Sequence, residues 1–168
     1  MNDAVPDEPL FAHLCDDDPE LIDAVSVAKR TLPQFLDAFS KRRFPTAAHL
    51  VKVPFLDRSN GGESAIVRTS ETAAQHPTEP TCHLWLTVDS VLEDLMFCSV
   101  FESPPALKLT TYDSFVVEAE LIEDWMINEG SVAYGGFSMR VVRSRLSITE
   151  RRRFEDCTGI REFKEIAP

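Results

Sequence analysis

Apolar residues near the start of the chain recur at three- and four-residue spacing, which is the pattern of an amphipathic helix. Residues 18–20 read Asp-Pro-Glu and supply a cap, a proline suited to the first turn and an acid near the positive end of the helix dipole. Pro33 interrupts the apolar stripe. The pattern therefore predicts helices over about 19–30 and 32–41, or a single kinked helix.

The period changes to two after residue 48, where apolar and polar residues alternate as they do in β-strands. Residues 57–81 are mostly polar, contain two adjacent glycines and two prolines, and are predicted to form an insertion loop. The predicted strands are a first one that ends near Pro54, a short one at 65–68, and further ones at 83–88, 91–101 and 115–122.

The last third of the chain combines turn signals with helix signals. Three glycines are predicted to occupy turns or breaks: Gly130, Gly135 and Gly136. Apolar residues follow the glycine pair, and Ser138 is predicted to cap the helix that they form. Residues 147–150 have the capping-box form and predict a final helix that ends near Cys157.

Helices first, strands in the middle and helices last predict an α+β fold. In this fold N-terminal helices pack on a mostly antiparallel sheet, and C-terminal helices follow. A chain of 168 residues is long enough for a single domain with its own core. We expect residues 1–17 to form a mobile acidic lead-in and residues 18–168 to form that domain.

The formal net charge of −11 is unevenly distributed along the chain. Residues 1–28 contain eight acids and no Lys or Arg, whereas residues 138–168 contain eight bases and five acids. This balance disfavours nucleic-acid binding and suits a basic protein partner. The sequence has neither a membrane-spanning apolar stretch nor a recognisable signal peptide, so we expect a cytoplasmic protein.

Signatures of metal sites and catalysis are weak. Cys82, His83, Cys98 and Cys157 offer zinc-ligand chemistry, but their spacing matches no common zinc finger, so free thiols and no metal site are predicted. The sequence contains no nucleophile elbow, zinc-protease motif or phosphate-binding glycine loop. We therefore predict no cofactor, and we favour a non-enzymatic function while leaving enzyme activity open.

Both tryptophans lie in segments with unusual chemistry, Trp85 after His83 and Trp125 after Asp124. One interpretation is a shared cleft with tryptophan walls and His83 or Asp124 as a polar group for a ligand. The other is a core in which the tryptophans pack under the first helix and Asp124 accepts backbone N–H groups. The second interpretation is favoured because tryptophan on a strand is usually buried.

Arg140 and Arg143 lie one helical turn apart in the basic C-terminal region. In a functional interpretation they bind a carboxylate or phosphate together. In the structural interpretation, which we favour, Arg140 pairs with a buried acid such as Asp124 and the other arginines face solvent.

Several of these residues fall in a sequence pattern. Residues 124–127, Gly130 and residues 135–143 resemble the D-W-M…G…G-G-[FY]-[ST]-x-R-x-x-R stretch of the YegJ-like family of bacterial proteins. Segments in the same order are similar to its leading helix and to its V-K-V-x-F and E-H-x-W strands: residues 28–32, 51–55 and 82–86. The resemblance covers about residues 20–157, departing at Cys82, where the family usually has an acid, and in the longer 57–81 segment.

The resemblance implies an α+β fold in a family of unknown function, and it implies no reaction, cofactor or partner. It marks the following positions: His83, Trp85, Asp124, Trp125, Gly135, Gly136, Arg140 and Arg143. Small acidic domains also occur among proteins that neutralise toxins, which suggests a toxin-neutralising or regulatory role by analogy.

Two functional hypotheses follow. The leading one is a non-enzymatic protein-binding domain with an acidic surface. The alternative is a small-ligand-binding or hydrolytic site built from His83, Asp124 and Arg140 beside Trp85 and Trp125. The candidate binding cleft consists of His83, Trp85, Asp124, Trp125, Arg140 and Arg143.

Overall fold

The computed structural model describes residues 17–103 and 105–167, so the predicted acidic lead-in lies outside the described residues except for Asp17. The elements in chain order are α1 (Pro19–Ser40), β1 (Ala48–Leu56), β2 (Ile66–Val67), α2 (Ser70–Gln75), β3 (Thr81–Leu92), β4 (Leu95–Val100), β5 (Ser114–Glu118), β6 (Asp124–Glu129), β7 (Val132–Gly135), α3 (Phe137–Arg145), α4 (Ile148–Thr158) and β8 (Glu162–Lys164). The predicted α+β class is confirmed.

One mixed sheet organises the molecule. Its strands lie in the order β5-β4-β3-β1-β6-β7-β8, and β2 pairs with the end of β1. All pairs are antiparallel except the parallel pair β7–β8. The larger apolar core joins one face of the sheet to α1, and the smaller one joins β1, β6 and β7 on the other face to α3 and α4.

The first helix is a single element that continues through Pro33. Asp18 caps it as predicted, because its Oδ1 accepts the backbone N–H groups of Glu20 and Leu21 at 3.0 and 3.4 Å. A proline inside a helix costs about 3 kcal/mol. Buried side chains on both sides of Pro33, including Leu32 and Phe35, offset this cost by joining the same core.

The prediction of one strand over residues 91–101 is wrong. β3 ends at Leu92 and β4 begins at Leu95, with Glu93 in the left-handed conformation at φ +55° between them. Leu92 and Leu95 are cross-strand partners, so the apolar run is the end of a hairpin. The two acids at 93–94 mark the turn. Because the residues on both sides of them are mostly apolar, the segment has the overall pattern of one continuous strand.

Other boundaries also differ from the predicted ones. β1 extends past Pro54 to Leu56, and β5 ends at Glu118, where a helical turn begins. The predicted 57–81 loop contains β2 and α2, whose Thr69 cap forms a capping box with Thr72. The short strand β8 was not predicted, because three residues beside a parallel partner carry no pattern of their own.

His49 on β1 is a histidine held among aromatic rings. Its ring packs edge-on to Phe35 and Phe39, at centroid distances of 6.0 and 5.2 Å. Its Nε2 is buried and has no hydrogen-bond partner among the described residues. Burial therefore lowers the pKa of His49 below its usual value of 6.5.

We expect the His49 site to make the protein less stable in mild acid. Because the folded-state pKa is lowered, its stabilising contribution is complete above about pH 6.5 and is lost as the pH falls through the folded pKa. His49→Leu removes this titration and should reduce the difference in unfolding free energy between pH 7.5 and pH 5, measured by urea unfolding. His76→Gln is the control, and an equal pH dependence in wild type and His49→Leu would contradict the prediction.

Candidate functional site

Asp124 is a buried carboxylate that caps α3 from a different element of the fold. Its Oδ1 accepts the N–H groups of Trp125 and Phe137 at 2.8 and 3.1 Å, and its Oδ2 accepts the N–H and hydroxyl of Ser138 at 2.7 and 2.6 Å. The pKa of Asp124 is raised above its usual value, because the effect of burial exceeds the opposite effect of these hydrogen bonds. Ser138 was predicted to cap α3, but its N–H and hydroxyl instead donate to Asp124, which is the capping residue. Both oxygens of Asp124 are therefore occupied by groups of the protein itself.

Trp125 lies in the larger core. The residue is 1% exposed, and its indole N–H donates to the Ala28 carbonyl and the Thr31 hydroxyl of α1, both at 3.1 Å. Gly135 packs so closely on it that a Cβ there would lie 2.4 Å from the Trp125 carbonyl oxygen. Gly135 and Gly136 both have positive φ, and Gly136 immediately precedes the first residue of α3.

Trp85 lies on the opposite face of the sheet. It is partly buried and packs against the smaller core. The register explains the separation, because Trp85 pairs with Lys52 while Trp125 pairs with the adjacent residue Val51. Side chains alternate between faces along a strand, so the two tryptophans do not share a cleft wall.

The two arginines of the predicted cleft tie C-terminal elements together. Arg140 donates to the Gly135 and Lys164 carbonyls at 2.9 and 2.8 Å, and it pairs with Glu165 at 2.5 Å. It does not pair with Asp124, so that expectation is wrong. Arg143 joins α3 to Glu155 of α4 at 2.6 Å.

His83 has different neighbours. Its Nδ1 lies 2.6 Å from Glu123 Oε2, and because an ionised carboxylate only accepts, Nδ1 is the donor. Both side chains are about a quarter exposed, at 26% and 22%. The structure thus brings Asp124, Trp125 and Ser138 together at the start of α3 and places the His83–Glu123 pair elsewhere. Ligand binding by the six residues of the predicted cleft stays a prediction.

A groove of about 540 Å³ lies beside the His83–Glu123 pair. Its polar lining consists of Lys52, Arg68, Thr69, Ser70, Thr81, His83 and Glu123. Its apolar lining includes Leu21, Ile22 and Val25 of α1 together with Pro54 and Leu121. We call it the His83 groove.

A gap in strand pairing produces the His83 groove. β6 pairs with β1 only as far as Lys52, and β2 pairs with β1 only from Phe55. Between them the backbone of β1 is reached by single N–H groups, from Glu123 to the Lys52 carbonyl and from Arg68 to the Pro54 carbonyl. Pro54 lacks an N–H and is tolerated here because no full strand pairs with this side.

A second surface lies on the outer side of the β3–β4–β5 hairpins. Leu92, Leu95, Phe97 and Val116 share one face of the sheet, because Leu92 is opposite Leu95 and Phe97 is opposite Val116. Their exposed fractions are 62%, 37%, 39% and 55%. Neither apolar core includes them. We call these four residues the β4–β5 patch.

Carboxylates surround the β4–β5 patch. Residues 89–118 contain six acids and a single base, Lys108. Glu118 lies opposite Leu95, and Asp89 accepts a hydrogen bond from Ser99, the residue two positions after Phe97. Lys108 donates to the Gly62 carbonyl at 3.0 Å. The apolar surface is therefore set in a region of net negative charge.

The thiols of the two β-sheet cysteines are held in their neutral form. Burial raises the pKa of Cys82 to about 11 and that of Cys98 to about 12. Cys157 is exposed on α4, and Cys15 lies outside the described residues. Within residues 17–103 and 105–167, no three His, Cys, Asp or Glu side chains are grouped to hold a metal ion.

A model of a bacterial protein family, described as an uncharacterised protein conserved in bacteria (DUF2314), matches residues 18–162. The chain belongs to this family. The matched segment of this DUF2314 protein runs from the cap of α1 to the first residue of β8. Comparisons with curated proteins and with solved structures gave no match. In the described part of the chain, no helix is long and apolar enough to cross a membrane.

Proposed function

We propose that this DUF2314 domain is a protein-binding module whose binding surface is the β4–β5 patch. The observation that carries the proposal is four exposed apolar side chains on one sheet face, surrounded by acids. Contiguous apolar surface with a polar rim is typical of protein interaction sites. Phe97 at its centre is the kind of side chain that anchors an interface.

The charge around the patch specifies the partner. Six acids and one base in residues 89–118 favour a protein segment with Lys or Arg on both sides of apolar side chains. Apolar contacts supply most of the affinity of such a complex, and opposite charges increase the association rate at low salt. The partner is therefore a basic protein, in keeping with the net charge of −11.

We expect Phe97→Ser to weaken the complex by about tenfold or more, which corresponds to about 1.4 kcal/mol, because it removes the central apolar contact. The partner is first trapped in the bacterial host with the photo-reactive residue benzoylphenylalanine in place of Phe97. Binding of the purified partner is then titrated at 50 mM and 500 mM salt. We expect weaker binding at the higher salt concentration.

Ile148→Ser is the matched control, because Ile148 is 76% exposed on α4, far along the chain from the patch. It should leave the affinity unchanged. The proposal is wrong if position 97 traps no more protein than position 148, if the two substitutions weaken binding equally, or if salt has no effect.

Four further aspects belong to the same proposal. The domain acts without catalysis, it works in the cytoplasm, and within DUF2314 it belongs with the YegJ-like proteins. A toxin-neutralising or regulatory role would follow if the trapped basic partner is a toxin or an enzyme.

A further inference from the structure

We infer that the His83 groove binds a small organic anion, with its acid group held by Lys52 and Arg68 and its apolar part against α1. This site is separate from the β4–β5 patch and uses other residues. It also differs from the predicted cleft, since of the cleft residues only His83 lines it.

Two cations without an acidic partner carry the inference. Lys52 is partly buried and forms neither a hydrogen bond nor an ion pair with any other described residue. The Arg68 guanidinium donates to the Thr81 hydroxyl and reaches no carboxylate in the described part of the chain. Partly buried cations are stabilised by a counter-charge, so this pair of side chains is suited to an anion.

Arginines elsewhere in the chain show the contrast. The other partly buried arginines of the described chain, Arg58, Arg140 and Arg143, each contact at least one carboxylate within 4 Å. Lys52 is the single partly buried lysine in the described part of the chain, so Lys52 and Arg68 are the two partly buried bases that no described acid reaches. Both exceptions line the His83 groove, which makes them informative.

The carboxylate inside the groove does not neutralise the two cations. Glu123 lies within 4 Å of His83 but of neither Lys52 nor Arg68. Its Oε2 instead accepts the His83 Nδ1–H at 2.6 Å, which fixes the ring at the groove wall. Hydroxyls of Thr69, Ser70 and Thr81 line the same space and are able to donate to an anionic oxygen.

The size and the apolar lining of the groove indicate that the ligand also has an apolar part. Its volume of about 540 Å³ is within the range of small-molecule sites, and Leu21, Ile22 and Val25 line it. A free inorganic ion would leave this apolar lining uncovered. The groove thus favours an acid group attached to a ring or a short hydrocarbon chain.

The test uses three probes that share a benzene ring: phenyl phosphate, phenylacetate and benzyl alcohol. Each is titrated into the full-length ¹⁵N-labelled protein, and amide shifts are followed at residues 52, 68 and 83. We expect one or both anions to shift these amides with saturation, and benzyl alcohol to shift them much less. The stronger of the two anions identifies the preferred acid group.

Lys52→Gln/Arg68→Gln should weaken anion binding by about tenfold or more, because two charge-assisted contacts are lost. Arg152→Gln/Arg153→Gln removes the same charge from exposed positions on α4 and should leave binding unchanged. If the first double variant does not fold, Lys52→Gln alone takes its place. The inference is overturned if neither anion shifts the groove amides, if benzyl alcohol binds equally well, or if both double variants weaken binding equally.

Discussion

Asp124→Asn is expected to destabilise the folded protein by about 3 kcal/mol, although it changes only one atom of the side chain. The carboxylate accepts four hydrogen bonds, two at each oxygen. An asparagine amide supplies one oxygen, so its NH₂ group faces two donors whichever way it is oriented. A buried donor without an acceptor costs about 1–3 kcal/mol, and the charge that favours the N-terminus of α3 is also lost.

Two controls separate this effect from the loss of any carboxylate. Asp113 also accepts two hydrogen bonds, from the N–H and hydroxyl of Thr110, but in an exposed turn where water replaces them. Asp113→Asn should therefore cost less than about 1 kcal/mol, and Ser138→Ala, which removes one of the four donors, about 1 kcal/mol. Urea unfolding followed by circular dichroism measures all three variants. Equal stability of wild type and Asp124→Asn would show that the network does not hold α3.

The D-W-M…G-G…R pattern has a common structural explanation at Gly135 and Gly136. Asp124 caps the helix that follows the glycines, and Trp125 contacts Gly135 and accepts the Gly136 N–H at its carbonyl oxygen, 2.7 Å away. Arg140 binds the Gly135 carbonyl from the other side. A local hydrogen-bonded unit accounts for the spacing of these residue types without any ligand.

The fold class was predictable because it depends on patterns within single elements. The 3.6-residue stripe of α1, the alternation of β1 and β3 and the capping box of α4 each lie within a short window. The hairpin turn at 93–94 was missed because both flanking strands are apolar there. A turn between two apolar strands differs from one long strand by only two polar residues.

The His83 groove was only partly predictable, since it depends on pairing between distant segments. The sequence identified His83 as a candidate but did not predict its contact with Glu123, which lies 40 residues later in the chain. Lys52 and Arg68 are ordinary in the sequence and become unusual only because they are partly buried and no described acid reaches them. Their role depends on where the two residues lie relative to the gap in strand pairing at Pro54. No single segment of the sequence encodes that gap.

Trp125→Ala is expected to have the largest effect on stability, about 3–5 kcal/mol, because it empties a fully packed site. The ring lies between Phe35 and Phe137, at centroid distances of 5.7 and 5.6 Å. The substitution also leaves the Ala28 carbonyl without the indole donor at 3.1 Å. Trp125→Phe keeps much of the volume but loses this hydrogen bond, and should cost about half as much.

Trp85→Ala is the matched control on the opposite face, and it should cost clearly less because Trp85 is only partly buried against the smaller core. Urea unfolding followed by circular dichroism is preferable to fluorescence, since each variant removes one of only two tryptophans. A small loss for Trp125→Ala together with a large loss for Trp85→Ala would contradict the packing described above. That result would indicate that Trp125 lines an open cleft on the α1 face of the sheet, and it would favour the ligand-binding interpretation of this residue.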